Sequence, residues 1–95
     1  MAAVVGVARW VLHLPGCRSL KMKRSIVRSL KGRLQAEFRI SVAETEYLDL
    51  WQKAELCAAV VASDRRLAEA LLGRLDRHLS SDPRARVIEH ETVFY

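Results

Sequence analysis

The sequence contains no asparagine, and only two cysteines, two prolines and four glycines among its 95 residues. Aromatic residues make up 6% of it. Cys17 and Cys57 lie far apart, whereas structural zinc sites draw on closely spaced cysteine pairs, so no metal site is expected. The opening Met1–Gly6 lacks a basic segment leading into an apolar one, and Arg9 and Trp10 break the apolar run after Val7 and Ala8. No signal peptide is therefore read, and a cytoplasmic chain with free thiols is expected rather than a disulfide. Cys57 is expected to act as a small apolar packing residue. No stretch approaches the roughly 18 uninterrupted apolar residues of a membrane span. The missing asparagine, with arginine greatly outnumbering lysine, fits a thermophilic source, although a GC-rich genome leaves the same bias.

Acidic residues are also scarce where it matters. Residues 1–40 hold nine Lys/Arg against Glu37 alone, a surplus of eight, while residues 41–95 hold seven basic against ten acidic groups. The formal net charge of +5 is thus concentrated in the first half. That asymmetry suggests an anionic partner for this half, unless it is only a solvated basic face.

What is present alternates cleanly between two periods. Ala3–Leu14 alternates as a strand, with Ala8, Trp10, Leu12 and Leu14 on the apolar face. Pro15-Gly16 ends it. Ser19 is positioned to cap a helix running to about Phe38, with a stripe of Ile26, Leu30, Leu34 and Phe38 flanked by Val27. Arg39–Tyr47 reads as a second strand. Residues 48–53 read as a connection whose Trp51 tucks back onto the domain. Ala54–Ala62 reads as a third strand. Ser63-Asp64 caps a second helix over Arg65–Ser80 with a stripe of Leu67, Leu71, Leu75 and Leu79, and Leu72 alongside. Asp82-Pro83 stops it, and Val87–Phe94 is the last strand.

The order strand-helix-strand-strand-helix-strand predicts a single α+β domain over 1–95 with the ferredoxin-like split sandwich fold. Right-handed crossovers put both helices on one face of a four-stranded antiparallel sheet of order 4-1-3-2. Val7, Val11, Cys57, Ala59 and Val61 then fall on the uncovered face, which makes homodimerisation through that face a second reading.

The turn Pro15–Arg24 joins a helix start to several cations and is a candidate anion site. Lys21, Arg24, Arg28 and Lys31 share one quadrant of the helix at 100° per residue, and could follow a phosphate backbone. The candidate nucleic-acid or anion-binding residues are Arg18, Ser19, Lys21, Lys23, Arg24, Arg28 and Lys31. Base stacking on the sheet, as in RNA-recognition motifs, is rejected because the third strand has no aromatic residue and Trp10 has core parity. Arg9 is placed to pair with Glu89 or Glu91 across strands, and His13, His78 and His90 are scattered. No catalytic residue and no cofactor is assigned. Acylphosphatase-type enzymes share the topology and depend on a first-turn Arg, for which Arg18 could stand, and on an Asn, for which nothing here can.

Four segments, His13-Leu14-Pro15-Gly16, Ser19-Leu20-Lys21 with Lys23-Arg24, Ser41-Val42-Ala43-Glu44 and Asp49-Leu50-Trp51-Gln52, together resemble the YlxP-like family, a bacterial domain of unknown function. The resemblance spans essentially the whole chain. It implies a ferredoxin-like fold and a gene neighbourhood among translation factors and ribosome-maturation proteins, and it supplies no catalytic residues. Met22 stands where that family commonly has an acid, which makes this turn more basic. The leading expectation is a non-enzymatic RNA-binding or ribosome-associated protein. The alternatives are a sheet-mediated homodimeric interaction module and a small phosphate-ligand binder or hydrolase at the turn before the first helix.

Overall fold

A computed structural model describes residues 2–95. Its elements are β1 (Val4–His13), α1 (Leu20–Phe38), β2 (Ser41–Glu46), β3 (Lys53–Ala62), α2 (Arg65–Ser80) and β4 (Arg86–Phe94). The strands form one antiparallel sheet of order β2-β3-β1-β4, the order expected of a ferredoxin-like split sandwich. No helix among the described residues is long and apolar enough to cross a membrane.

Strand parity sets the core. Ala8, Trp10, Leu12 and Leu14 are fully buried, and Ala54, Leu56, Ala58 and Val60 of β3 lie on the same side. Trp10 satisfies its indole N–H on Asp76 Oδ1 at 3.0 Å and stacks on His90 with ring centroids 5.3 Å apart. Gly6 lies where α2 approaches β1: a Cβ there would sit 3.0 Å from Leu72 Cδ1.

Both helix starts are capped as the sequence predicts. Ser19 Oγ accepts from Met22 N at 3.0 Å, and Asp64 Oδ1 accepts from Leu67 N at 2.9 Å. The buried seams differ from the predicted stripes. In α2 the inward residues are Ala68, Leu72, Leu75 and Leu79, while Leu67 is exposed. A strict four-residue repeat drifts about 40° per step, so the real seam alternates steps of four and three. In α1 the seam is Lys23, Val27, Leu30 and Leu34, with Ile26 and Phe38 only half-buried.

β2 is shorter than its alternation suggests because left-handed residues close both ends. Arg39 (φ 50°) donates its N–H to Gln35 O and caps α1, and Tyr47 (φ 62°) turns the chain into the β2–β3 hairpin.

The uncovered sheet face carries Val7, Val11, Cys57, Ala59 and Val61, as the parity requires. Val11 is nevertheless fully buried. Its cross-strand neighbours are Glu55 and Glu89, and Arg9 bridges them, with Nη1 to Glu55 Oε1 at 2.8 Å and Nη2 to Glu89 Oε2 at 3.1 Å. The guanidinium therefore roofs Val11. This ion pairing lowers the Glu55 pKa and raises that of Arg9, in each case chiefly through the hydrogen bond between them.

Candidate nucleic-acid interface

Helix α1 opens with no acid in its first turn and carries Lys21, Lys23 and Arg24 there or just after. Cations at that end oppose the helix dipole, each by a fraction of a kcal/mol, about 0.3–1. Of the residues expected to meet an anion, Arg18, Lys21, Arg24 and Arg28 are exposed and Lys31 is half-buried. Arg24, Arg28, Lys31, Val27 and Glu44 line one cleft of about 170 Å³ on the flank of α1 that faces β2. Lys21 to Lys31 spans roughly 15 Å of helix at 1.5 Å per residue. Among the described residues, no carboxylate pairs with Arg18, Lys21, Arg24, Arg28 or Lys31.

Two members of the predicted set are occupied elsewhere. Lys23 is 0% exposed, which removes it from any surface that a phosphate could reach. Its ammonium donates to Tyr47 O at 2.8 Å and Leu48 O at 3.4 Å and forms an ion pair with Glu44. Two carbonyls accept from the ammonium and the Glu44 carboxylate balances its charge, which is the condition for tolerating a charge inside. Glu44 walls the cleft, yet its Oε2 is turned inward onto Lys23, so it does not cancel the outer cations by direct pairing. Ser19 commits its hydroxyl oxygen to the cap on Met22.

The turn before α1 is less suited to a small anion than its composition suggests. The hollow beside it, about 240 Å³, is lined by Pro15, Gly16, Cys17, Met22, Ile26, Pro83 and Arg84. Arg84 is bound to Asp82, with Nη2 to Oδ2 at 2.8 Å and Nε to Oδ1 at 3.1 Å. Among the described residues there is no group of three or more His, Cys, Asp or Glu able to hold a metal ion.

Residues 5–92 match the family described as "Protein of unknown function (DUF503)". The chain belongs to this family. It is also 31% identical over 80 residues to the "Uncharacterized protein YlxP" of Bacillus subtilis, an alignment covering 84% of this chain and 87% of that protein. The matched span contains the whole basic edge of α1 and every strand of the DUF503 sheet, apart from the ends of β1 and β4.

A second surface of this DUF503 domain departs from the sequence-based expectation. Trp51 does not tuck back onto the domain: it is 53% exposed, with Leu48 and Leu50 also exposed on the same hairpin. The hairpin is tied to the start of α1. Leu14 N donates to Gln52 O at 2.9 Å, Gln52 Nε2 to Cys17 O at 3.1 Å, and Lys23 reaches Tyr47 O. These bonds fix the backbone beneath Trp51 and leave its ring outside. Strand register then sets Lys53, His13 and Arg86 in one row across β3, β1 and β4 on the open face.

Proposed function

We propose that this DUF503 protein is a non-enzymatic RNA-binding accessory protein that holds phosphates along one edge of α1, with ribosomal RNA or the ribosome as its target. The reading is carried by one observation: Arg24, Arg28 and Lys31 share a cleft, Lys21 and Arg18 lie exposed toward the helix start, and none of the five has a carboxylate partner among the described residues. Lys23, being buried, is not part of the contact set. The gene neighbourhood implied by the YlxP-like resemblance supports a translational target. Contacts to phosphate position a protein without reading sequence, so shape and charge, rather than base identity, govern binding to this edge.

The test is crosslinking and RNA recovery from expressing cells, using the parent and a variant with Lys21, Arg24, Arg28 and Lys31 all changed to Glu. The parent should recover ribosomal RNA fragments and the variant should not. Equal recovery by two proteins with the same circular dichroism would overturn the proposal.

A second reading, a homodimer through the sheet, draws on a different observation. At the end of the open face away from the hairpin, two rows across β3, β1 and β4 are wholly apolar: Val61-Val5-Tyr95 and Ala59-Val7-Val93. Val61 is 71% and Tyr95 76% exposed. A second copy packed on these rows would bury them. Sedimentation should then show a dimer at micromolar concentration that Val61→Lys converts to monomer; a parent that sediments only as monomer excludes it.

A further inference from the structure

We infer that the β2–β3 hairpin is a base-stacking site, in which Trp51 takes the face of an unpaired nucleobase and Lys53, His13 and Arg86 receive the adjoining phosphate. The ligand class, single-stranded RNA, rests on the proposed role of the α1 edge; the site itself rests on separate observations. The first is the ring. A large apolar side chain standing outside on a hairpin fixed by hydrogen bonds loses little freedom when a flat partner covers it, and every base offers a π-face. The second is shape. Trp51, Leu50, Gln52, Lys53 and His13 surround an open concavity of about 580 Å³, large enough for a base with its sugar-phosphate. The third is charge. Lys53, His13 and Arg86 occupy consecutive positions across three strands, and none of them forms an ion pair among the described residues.

The local chemistry agrees with an anionic ligand. His13 Nδ1 lies 3.1 Å from Gln52 O. A carbonyl can only accept, so Nδ1 carries a proton, and Nε2 can donate to a phosphate oxygen in the imidazolium form or accept from a ribose hydroxyl in the neutral form. Lys53 Nζ sits 4.3 Å from the Tyr47 ring centroid, which holds the ammonium at the hairpin without neutralising it. The next row on the sheet is acidic, Glu55 and Glu89, but both are already bridged by Arg9. Asp49 is the one acid between Tyr47 and Lys53. The hairpin is held against the start of α1, because Lys23 bonds its carbonyls at Tyr47 and Leu48 directly. This differs from base stacking on sheet aromatics: the ring is on the hairpin and the strands supply only cations.

The chain has two tryptophans. Trp10 is fully buried, so quenching of fluorescence by added RNA reports Trp51. The experiment titrates the full chain with an oligoadenylate and, separately, with an RNA duplex of equal length. It repeats both titrations with Trp51→Ala and with the four-site α1 charge-reversal variant, taking affinities from the anisotropy of end-labelled RNA. The single strand should quench emission saturably, and Trp51→Ala should weaken single-strand binding about tenfold, within the range of one lost base stack. Duplex affinity should stay within about twofold for Trp51→Ala, since paired bases cannot reach the ring. Salt-dependent binding of the single strand without quenching, and with Trp51→Ala at parental affinity, overturns this inference and leaves the α1 reading standing. Quenching and affinity preserved in the charge-reversed protein would uphold the hairpin site and overturn the α1 reading. No binding of either RNA by the parent overturns both.

Discussion

Arg9 and Arg24 both belong to the basic first half of the chain, yet they meet opposite surroundings. Arg9 lies on a central strand, where antiparallel pairing brings Glu55 from one side and Glu89 from the other, 46 and 80 residues away in sequence. Arg24 lies on the outer edge of a helix, in a cleft whose single carboxylate, Glu44, is engaged with Lys23 behind it. The surplus of positive charge in residues 1–40 is therefore not one surface. Arg9, Lys23 and Arg33 are neutralised by acids from the second half, whereas Arg18, Lys21, Arg24, Arg28 and Lys31 have no carboxylate partner among the described residues. Charge counted along a sequence indicates a partner only after the fold has removed what it uses internally.

Substitutions that set the two kinds of cation against each other should differ widely in stability. The largest effect is expected at Lys23. Lys23→Ala strands Glu44 beside the core and should lower unfolding free energy by about 3–5 kcal/mol in urea titration. Replacing Lys23 and Glu44 together by Met and Leu should recover more than half of that loss, since the unpaired charge is then gone.

Asp82 comes next. It is buried between Arg84 and Arg33, and the hydrogen bonds from Arg84 pull its pKa from 3.8 down to about 2. A lowered folded-state pKa contributes stability above the unfolded value and loses it as pH falls through the folded value. Asp82→Asn should thus cost at most about 2 kcal/mol at neutral pH, and the difference from the parent should shrink between about pH 4 and pH 2. Acid unfolding monitored by circular dichroism checks the sign.

Arg9 is partly exposed, so water screens its ion pairs. Arg9→Ala should cost less than Asp82→Asn at neutral pH, part of the loss coming from uncovering Val11. The smallest effect belongs to the α1 edge: Arg24→Ala and Arg28→Ala should each change stability by less than about 0.5 kcal/mol, as befits exposed residues with no partner in the fold. A loss at Arg24 comparable to that at Lys23 would erase the distinction between structural and available cations.

Much of the architecture was legible because the strands alternate with period two and the helices carry caps. Ser19 and Asp64 marked both helix starts, and the sheet order came from the element order and handedness. The seams were less legible. Lys23 occupies an inward position at steps of four, three and four from Val27, Leu30 and Leu34, but a lysine is read as outward unless its partner is known. That partner, Glu44, becomes visible only once β2 is laid beside α1. Trp51 was misplaced for the converse reason, since an aromatic residue is read as inward, and here the hairpin bonds to β1 and the α1 turn fix the backbone without covering the ring. The outer-edge cations Lys21, Arg24, Arg28 and Lys31 were legible from helical phase alone. The row Lys53-His13-Arg86 was not, because it depends on a register set partly by the β4 bulge at Ile88.

The most direct measurement is the affinity of the parent and of the Lys21, Arg24, Arg28 and Lys31 charge-reversal variant for a ribosomal RNA fragment, taken from about 50 to about 200 mM salt. The parent should weaken steeply, with a logarithmic slope of about −3 for four phosphates neutralised on a single strand, while the variant binds at least a hundredfold more weakly, with a shallow slope. Identical affinities and identical slopes for the two proteins would contradict a phosphate-binding role for the outer edge of α1.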